Sequence, residues 1–186
     1  MNLKSYYANF IILTTKTLIN IINVMDKRRI NMDKINNIEN IPNEFIEPNC
    51  ESNLQTQLLG KLAGSKNLYV NIDLVKPEAI SVKYHSHSLL EEFFIILEGT
   101  GKLRLNNREL KVKKGDFFAK PPGRNIAHQF INDSNCILKI LDFGIKNEND
   151  IVSYPDEDVI LVKKSNKAFK IKDELKDWSS EPNNKE

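Results

Sequence analysis

All three histidines of this 186-residue chain, His85, His87 and His128, fall in one region, and their spacing constrains the fold more than any other feature. In an extended strand, residues two apart point to the same side, so His85 and His87 can face one ligand while Tyr84 and Ser86 face away. Ser88-Leu89-Leu90 then makes a turn-like break, after which the carboxylate of Glu91 or Glu92 can return to that side. Imidazoles with a carboxylate are donors for a divalent transition metal, and Fe, Mn, Ni and Zn all accept such a set. If Glu92 points inward, Phe94 and Ile96 follow it and form an apolar wall around the site. Phe93, Ile95 and Leu97 then make the opposite face apolar as well, so something must cover the outside. A second copy of the chain, forming a homodimer, is the first expectation; the N-terminal arm or the C-terminal tail would also serve.

From about Leu54 to Val162 short apolar runs alternate with turn signals, and no stretch keeps a helical period. Strands are predicted at Leu68 to Leu74, Ile80 to His87, Glu92 to Glu98, Lys102 to Leu105 and Glu109 to Val112. Further strands are predicted at Asp116 to Lys120, His128 to Ile131, Ile137 to Phe143 and Val159 to Lys163. Asn106-Asn107 is a two-residue hairpin signal, because asparagine tolerates the positive φ of a type I′ turn. Many short strands with glycine-marked turns indicate an all-β sandwich or barrel. Tyr154-Pro155-Asp156 reads as a turn, Lys170 to Trp178 as a short terminal helix, and Ser179 to Glu186 as a frayed end.

These residues resemble the two motifs of the cupin superfamily. His85, His87, Glu92 and Gly99 match the first, and the six residues between Glu92 and Gly99 select Glu92 over Glu91. Gly115, Pro121, Gly123, His128 and Asn132 match the second. Two departures stand out: Ala79 stands where a glycine is expected, and four residues instead of two separate Gly123 from His128. An even insertion keeps the in/out parity of an extended segment, so His128 should still face inward. The resemblance spans roughly Lys66 to Phe143. It implies a double-stranded β-helix, or jelly-roll barrel, holding a metal on His85, His87, Glu92 and His128, with positions left open for water, oxygen or substrate. The segment from Ile151 to Asp158, with Tyr154-Pro155-Asp156, also resembles a feature of one group of small bacterial cupins.

The expected organisation is an N-terminal extension over 1–34, an arm over 35–65, the barrel over 66–150 and a C-terminal extension over 151–186. Ser81 and Lys83 share the parity of His85 and are expected to line the substrate pocket with Phe94 and Ile96. A small polar molecule is the expected ligand. The expected activity is that of an oxygenase or isomerase, and the alternative is a module that binds or senses a sugar, small acid or metal ion. An isomerase needs a base, and with no second carboxylate or spare histidine evident the pocket would have to use Lys83 or a tyrosine, which modestly favours oxygen chemistry.

Lysine and arginine number 27 against 25 acidic residues and do not cluster, which gives no footprint for nucleic acid. Cys50 and Cys136 form no paired motif and read as thiols in a reducing, cytoplasmic setting. The apolar run Phe10 to Val24 is interrupted by Lys16 and Asn20 and is too short to cross a bilayer. No small-residue cleavage site follows it. An added helix, or an overextended start with initiation at Met25 or Met32, accounts for it.

Overall fold

The computed structural model describes residues 35–49 and 53–182. The Phe10 to Val24 run, Met25, Met32 and Cys50 lie outside the described residues. Among the described residues fourteen strands and one short α-helix follow in order, with 3-10 turns between some of them. They are β1 (Ile46–Asn49), β2 (Leu54–Gln57), α1 (Leu59–Leu62), β3 (Leu68–Val75), β4 (Ala79–Ile80) and β5 (Ser86–His87). Next come β6 (Glu92–Glu98), β7 (Thr100–Leu105), β8 (Arg108–Lys113), β9 (Phe117–Lys120) and β10 (His128–Asn132). The last are β11 (Leu138–Ile145), β12 (Ile151–Tyr154), β13 (Val159–Val162) and β14 (Lys167–Lys170).

The strands form an all-β jelly-roll barrel. One sheet has the order β1-β2-β3-β11-β6-β9, and a second has β4-β10-β7-β8. Their inner faces meet in a core of Phe94, Ile96, Ile140 and Leu138 from the first sheet and Leu103, Phe130, Val112 and Ala79 from the second. Each such side chain contributes about 1.5–3 kcal/mol when fully buried. That sets the register of β6, because a one-residue slip would turn Phe94 and Ile96 out to solvent. Glu92 is buried on the same face, while Phe93, Ile95 and Leu97 face outward, half-buried, as the alternation predicts.

Turn chemistry closes the barrel. Asn106 and Asn107 have φ of 47° and 61° and join β7 to β8, as the hairpin signal requires. Gly99, between β6 and β7, has φ +81°, and a Cβ there would lie 2.5 Å from the Ile137 carbonyl oxygen. Asn132 is a strand-end hydrogen bonder: its side-chain amide donates to the carbonyls of Val75 and Cys136.

Three segments differ from expectation. The predicted strand Ile80 to His87 is broken, since the chain bends at Ser81 and Val82 and regains extended pairing only near His85. Residues 46–57, expected as an arm, supply two edge strands of the larger sheet. The predicted helix at Lys170 to Trp178 is absent. Lys170 ends β14, whose backbone is taken up by β13, and one 3-10 turn follows at Ile171–Asp173. The Ile171 and Lys172 amides donate to the backbone and side chain of Asp158, which ties this turn to the connection between β12 and β13.

β12, β13 and β14 form a meander that pairs with β5. Val152 and Ser153 sit opposite His87 and Ser86, so the extension docks on the strand that carries the first histidine pair. Arg104 fastens it further. Its guanidinium makes two hydrogen bonds to Asp156 and lies over the Tyr84 ring, 3.7 Å from the centroid. No helix among the described residues is long and apolar enough to cross a membrane.

Candidate metal centre

The first histidine strand, the start of β6 and the start of β10 converge at one end of the barrel. His85, His87 and Glu92 each offer one donor atom, and these atoms lie within 4.8 Å of one another. His128 is adjacent. Its ring centroid is 4.6 Å from that of His85, and its Nδ1 is 3.8 Å from Glu92 Oε2. Glu92 is buried and Glu91 exposed, in line with the choice made from spacing. Phe94 packs against His128 with centroids 5.0 Å apart, and Ile96 lies deeper in the core.

Hydrogen bonds fix which nitrogens are available. His85 Nδ1 is 2.7 Å from the Lys83 carbonyl oxygen, so it carries the proton and donates, which leaves Nε2 with its lone pair. His87 Nδ1 is 2.6 Å from Asp150 Oδ2, and His87 Nε2 stands 3.4 Å from Glu92 Oε1. A carboxylate behind a ligating histidine holds its tautomer and raises its basicity. Asp150 is 0% exposed and also accepts from the Ser88 hydroxyl and the Leu89 amide. Burial opposes its charge, but the Leu89 amide and His87 outweigh that and hold its carboxyl below the usual range.

Burial keeps the His85 and His128 imidazoles neutral, the form that binds metal. Burial pushes His85 down to about 4 and His128 well below its ordinary value. Burial would raise the Glu92 carboxyl, yet the pull of His87, His128 and Lys120 leaves it below the usual range. The set passes a direct test of fit. His128 Nδ1 is a buried polar atom with no hydrogen-bond partner, and it faces the carboxylate. Two donors at about 2.1 Å from one ion stand roughly 3.0–3.4 Å apart, close to the His87–Glu92 separation. The His85, His87 and Glu92 group could therefore hold a divalent transition metal.

A cleft of about 900 Å³ opens above these residues. Tyr69, His87, Glu92 and Asp142 line its deeper part. The Tyr69 hydroxyl donates to Asp142 Oδ1 at 3.0 Å and reaches Glu92 Oε1 at 3.4 Å. Burial, reinforced by neighbouring carboxylates, raises both Tyr69 and Asp142. Gly144 lies opposite Glu92 on one side and Tyr69 on the other, and the Tyr69 ring fills the space its side chain would need. Lys66, Lys146, Lys163 and Lys164 stand at the exposed rim, with Glu148 as an opposing charge.

Two expected pocket residues are elsewhere. Lys83 points away: its side chain is 58% exposed and pairs with Glu157 at 3.8 Å, because the bend after Ile80 breaks the alternation that would turn it inward. Ser81 is buried, but its hydroxyl accepts from the Phe130 amide and stitches the second sheet instead of lining the cleft. Four contributors escaped sequence reasoning. Lys120, Tyr69 and Asp142 occupy inward positions of β9, β3 and β11, a parity readable only once the registers are known. Asp150 lies 63 residues from His87, and no local pattern links them. Of the two groups expected to serve as a base, Lys83 points away, while a tyrosine, Tyr69, lines the cleft together with the carboxyl of Asp142.

Residues 72–144 match the family model for the cupin domain. The barrel is a cupin. Two solved structures are among those similar to it. A protein of Acidithiobacillus ferrooxidans, provisionally described as a sugar phosphate isomerase, is 26% identical with a TM-score of 0.64, covering 68% of this chain and 82% of that one. A cupin-superfamily sugar phosphate isomerase from Silicibacter pomeroyi is 28% identical with a TM-score of 0.56, covering 57% and 68%. Among curated proteins, the uncharacterized MJ1618 of Methanocaldococcus jannaschii is 38% identical over 80 residues. That match covers 40% of this chain and 62% of the relative, so the cupin spans less than two thirds of MJ1618.

Proposed function

We propose that this cupin is a metal-dependent isomerase of a small anionic carbonyl compound, of the sugar phosphate type, with His128 joining His85, His87 and Glu92 as the fourth ligand. The observation that carries this reading is one cleft with metal donors in its depth and four lysines at its rim. The isomerase descriptions of the two solved relatives support it.

Lys66 and Lys164 have no carboxylate partner among the described residues, which leaves them available to an anionic substrate group. A bound divalent ion would polarise the substrate carbonyl. Asp142 is placed on the cleft wall to take a proton from one carbon and return it to the next, and Tyr69 orients it. Asp150 and the Lys83 carbonyl hold the two ligand rings through their Nδ1 protons.

The test is proton exchange. Protein loaded separately with Fe(II), Mn, Ni or Zn is offered phosphorylated aldoses and ketoses in deuterated water, and substrate deuteration is followed by NMR. Metal-dependent exchange should appear, vanish in Glu92→Ala, and show a raised KM in Lys66→Gln/Lys164→Gln for phosphorylated substrates only. Tight binding without exchange would favour a non-catalytic module, and substrate-dependent oxygen uptake with Fe(II) would favour an oxygenase.

The same reading includes a homodimer. Phe93, Phe117 and Phe143 cluster on the outer face of the larger sheet, and Phe117 is 69% exposed. The full chain should sediment as a dimer, and Phe117→Glu should shift it toward monomer; a monomeric wild type would refute this.

A further inference from the structure

Among the described residues Lys120 is the one buried lysine, 3% exposed. The register of β6 and β9 sets it directly opposite Glu92, so both side chains enter the barrel together. Its Nζ lies 2.7 Å from Glu92 Oε2, and no other carboxylate lies within ion-pairing distance. The carboxylate is thereby divided. Oε1 turns toward His87 Nε2 and the Tyr69 hydroxyl, and Oε2 is held by Lys120. The lysine's charge is also felt by the His85 and His128 rings.

Two physical consequences follow. A cation held by His85, His87 and Glu92 must sit beside a fixed positive charge in a site where water screens poorly, so the two repel. A metal-free barrel, in turn, does not contain an uncompensated buried carboxylate, which would be strongly destabilising. We propose that Lys120 is a built-in counter-ion that shares Glu92 with the metal, weakening divalent-cation binding and keeping the empty centre folded. This rests on the metal centre but not on the isomerase reading.

The sign of the effect separates this role from a merely structural one. Damage to the fold lowers metal affinity, whereas removal of a competing charge raises it. Zn²⁺ affinity of the full chain is measured by competition with a chromogenic chelator for wild type, Lys120→Gln and Lys120→Met. Both variants should bind Zn²⁺ at least roughly tenfold more tightly. The metal-free melting temperature should fall, more in Met than in Gln, and the rise on adding Zn²⁺ should exceed that of wild type. Lys120→Gln keeps a polar amide beside Oε2 and is the variant expected to fold without metal. Unchanged or weaker affinity in it overturns the proposal. Failure of all three proteins, wild type included, to bind Zn²⁺ overturns both the proposal and the metal centre, whereas Zn²⁺ binding without isomerase activity sinks only the function.

Discussion

The depth of the cleft and the wall that the C-terminal extension builds beside it do different work. In the depth, His85, His87, Glu92 and His128 are held by barrel strands and their neighbours, and the donors are brought together by sheet register. In the wall, Asp150, Lys163 and Lys164 come from beyond residue 144, where the match to the cupin family model ends. The barrel supplies the candidate donors. The chain beyond residue 144 orients one of them through Asp150 and charges the entrance, which shows how one scaffold can keep its centre while its surroundings change.

The largest effect should come from the depth. His87→Ala should abolish stoichiometric metal loading, read by elemental analysis, and a variant that retains full loading would remove His87 from the ligand set. Asp150→Asn tests whether the wall matters to the donors. It should lower metal affinity about 10–100-fold while the barrel stays folded, since the carboxylate that fixes the His87 tautomer is lost. Unchanged affinity there would make the extension a mere cover.

Asp73 sharpens the comparison from beneath the centre. Burial raises its carboxyl to about 6 from an ordinary value of 3.8, and the hydrogen bond from Thr56 offsets only part of this. The folded state therefore holds this proton more tightly than the unfolded chain. That contribution is fully present below pH 3.8 and is lost as pH rises through about 6. Asp73→Asn should accordingly be more stable than wild type above pH 6 by about 3 kcal/mol, with the gain vanishing near pH 4. Denaturant melts across that range measure it.

The smallest effect concerns the fastening of the extension. Arg104→Ala removes two hydrogen bonds to Asp156 and the stack on Tyr84, at a cost of about 1 kcal/mol or less. Hydrogen exchange should quicken in β12 to β14 and leave β3 and β11 unchanged. If the barrel loosens as well, the two regions are one cooperative unit.

Much of the barrel was legible because its signals are local. Two imidazoles two residues apart, a glycine separated from Glu92 by six residues and an asparagine pair between two strands each act over a few positions. The errors share a cause. The alternation assigning Lys83 to the pocket holds only for an unbroken strand, and the bend at Ser81 and Val82 cancels it. Lys120 was hidden by its own chemistry: a lysine beside two prolines reads as surface, and only the pairing of β9 with β6 shows it to be buried. In the extension β13 was legible from Val159 to Lys163, whereas β14 escaped for a related reason. Lys167–Lys170 is exposed throughout and carries no apolar alternation, so its strand state is imposed by β13.

Gly144 ties two neighbours of the cleft together by having no side chain. A Cβ there would run into the Glu91 carbonyl oxygen and lie within 3 Å of the Tyr69 ring and hydroxyl. That hydroxyl spans Asp142 and Glu92. A larger residue at 144 would therefore push at once on the backbone next to Glu92 and on the tyrosine that bridges the two carboxyls, so a distortion begun on β11 would reach both sides of the cleft.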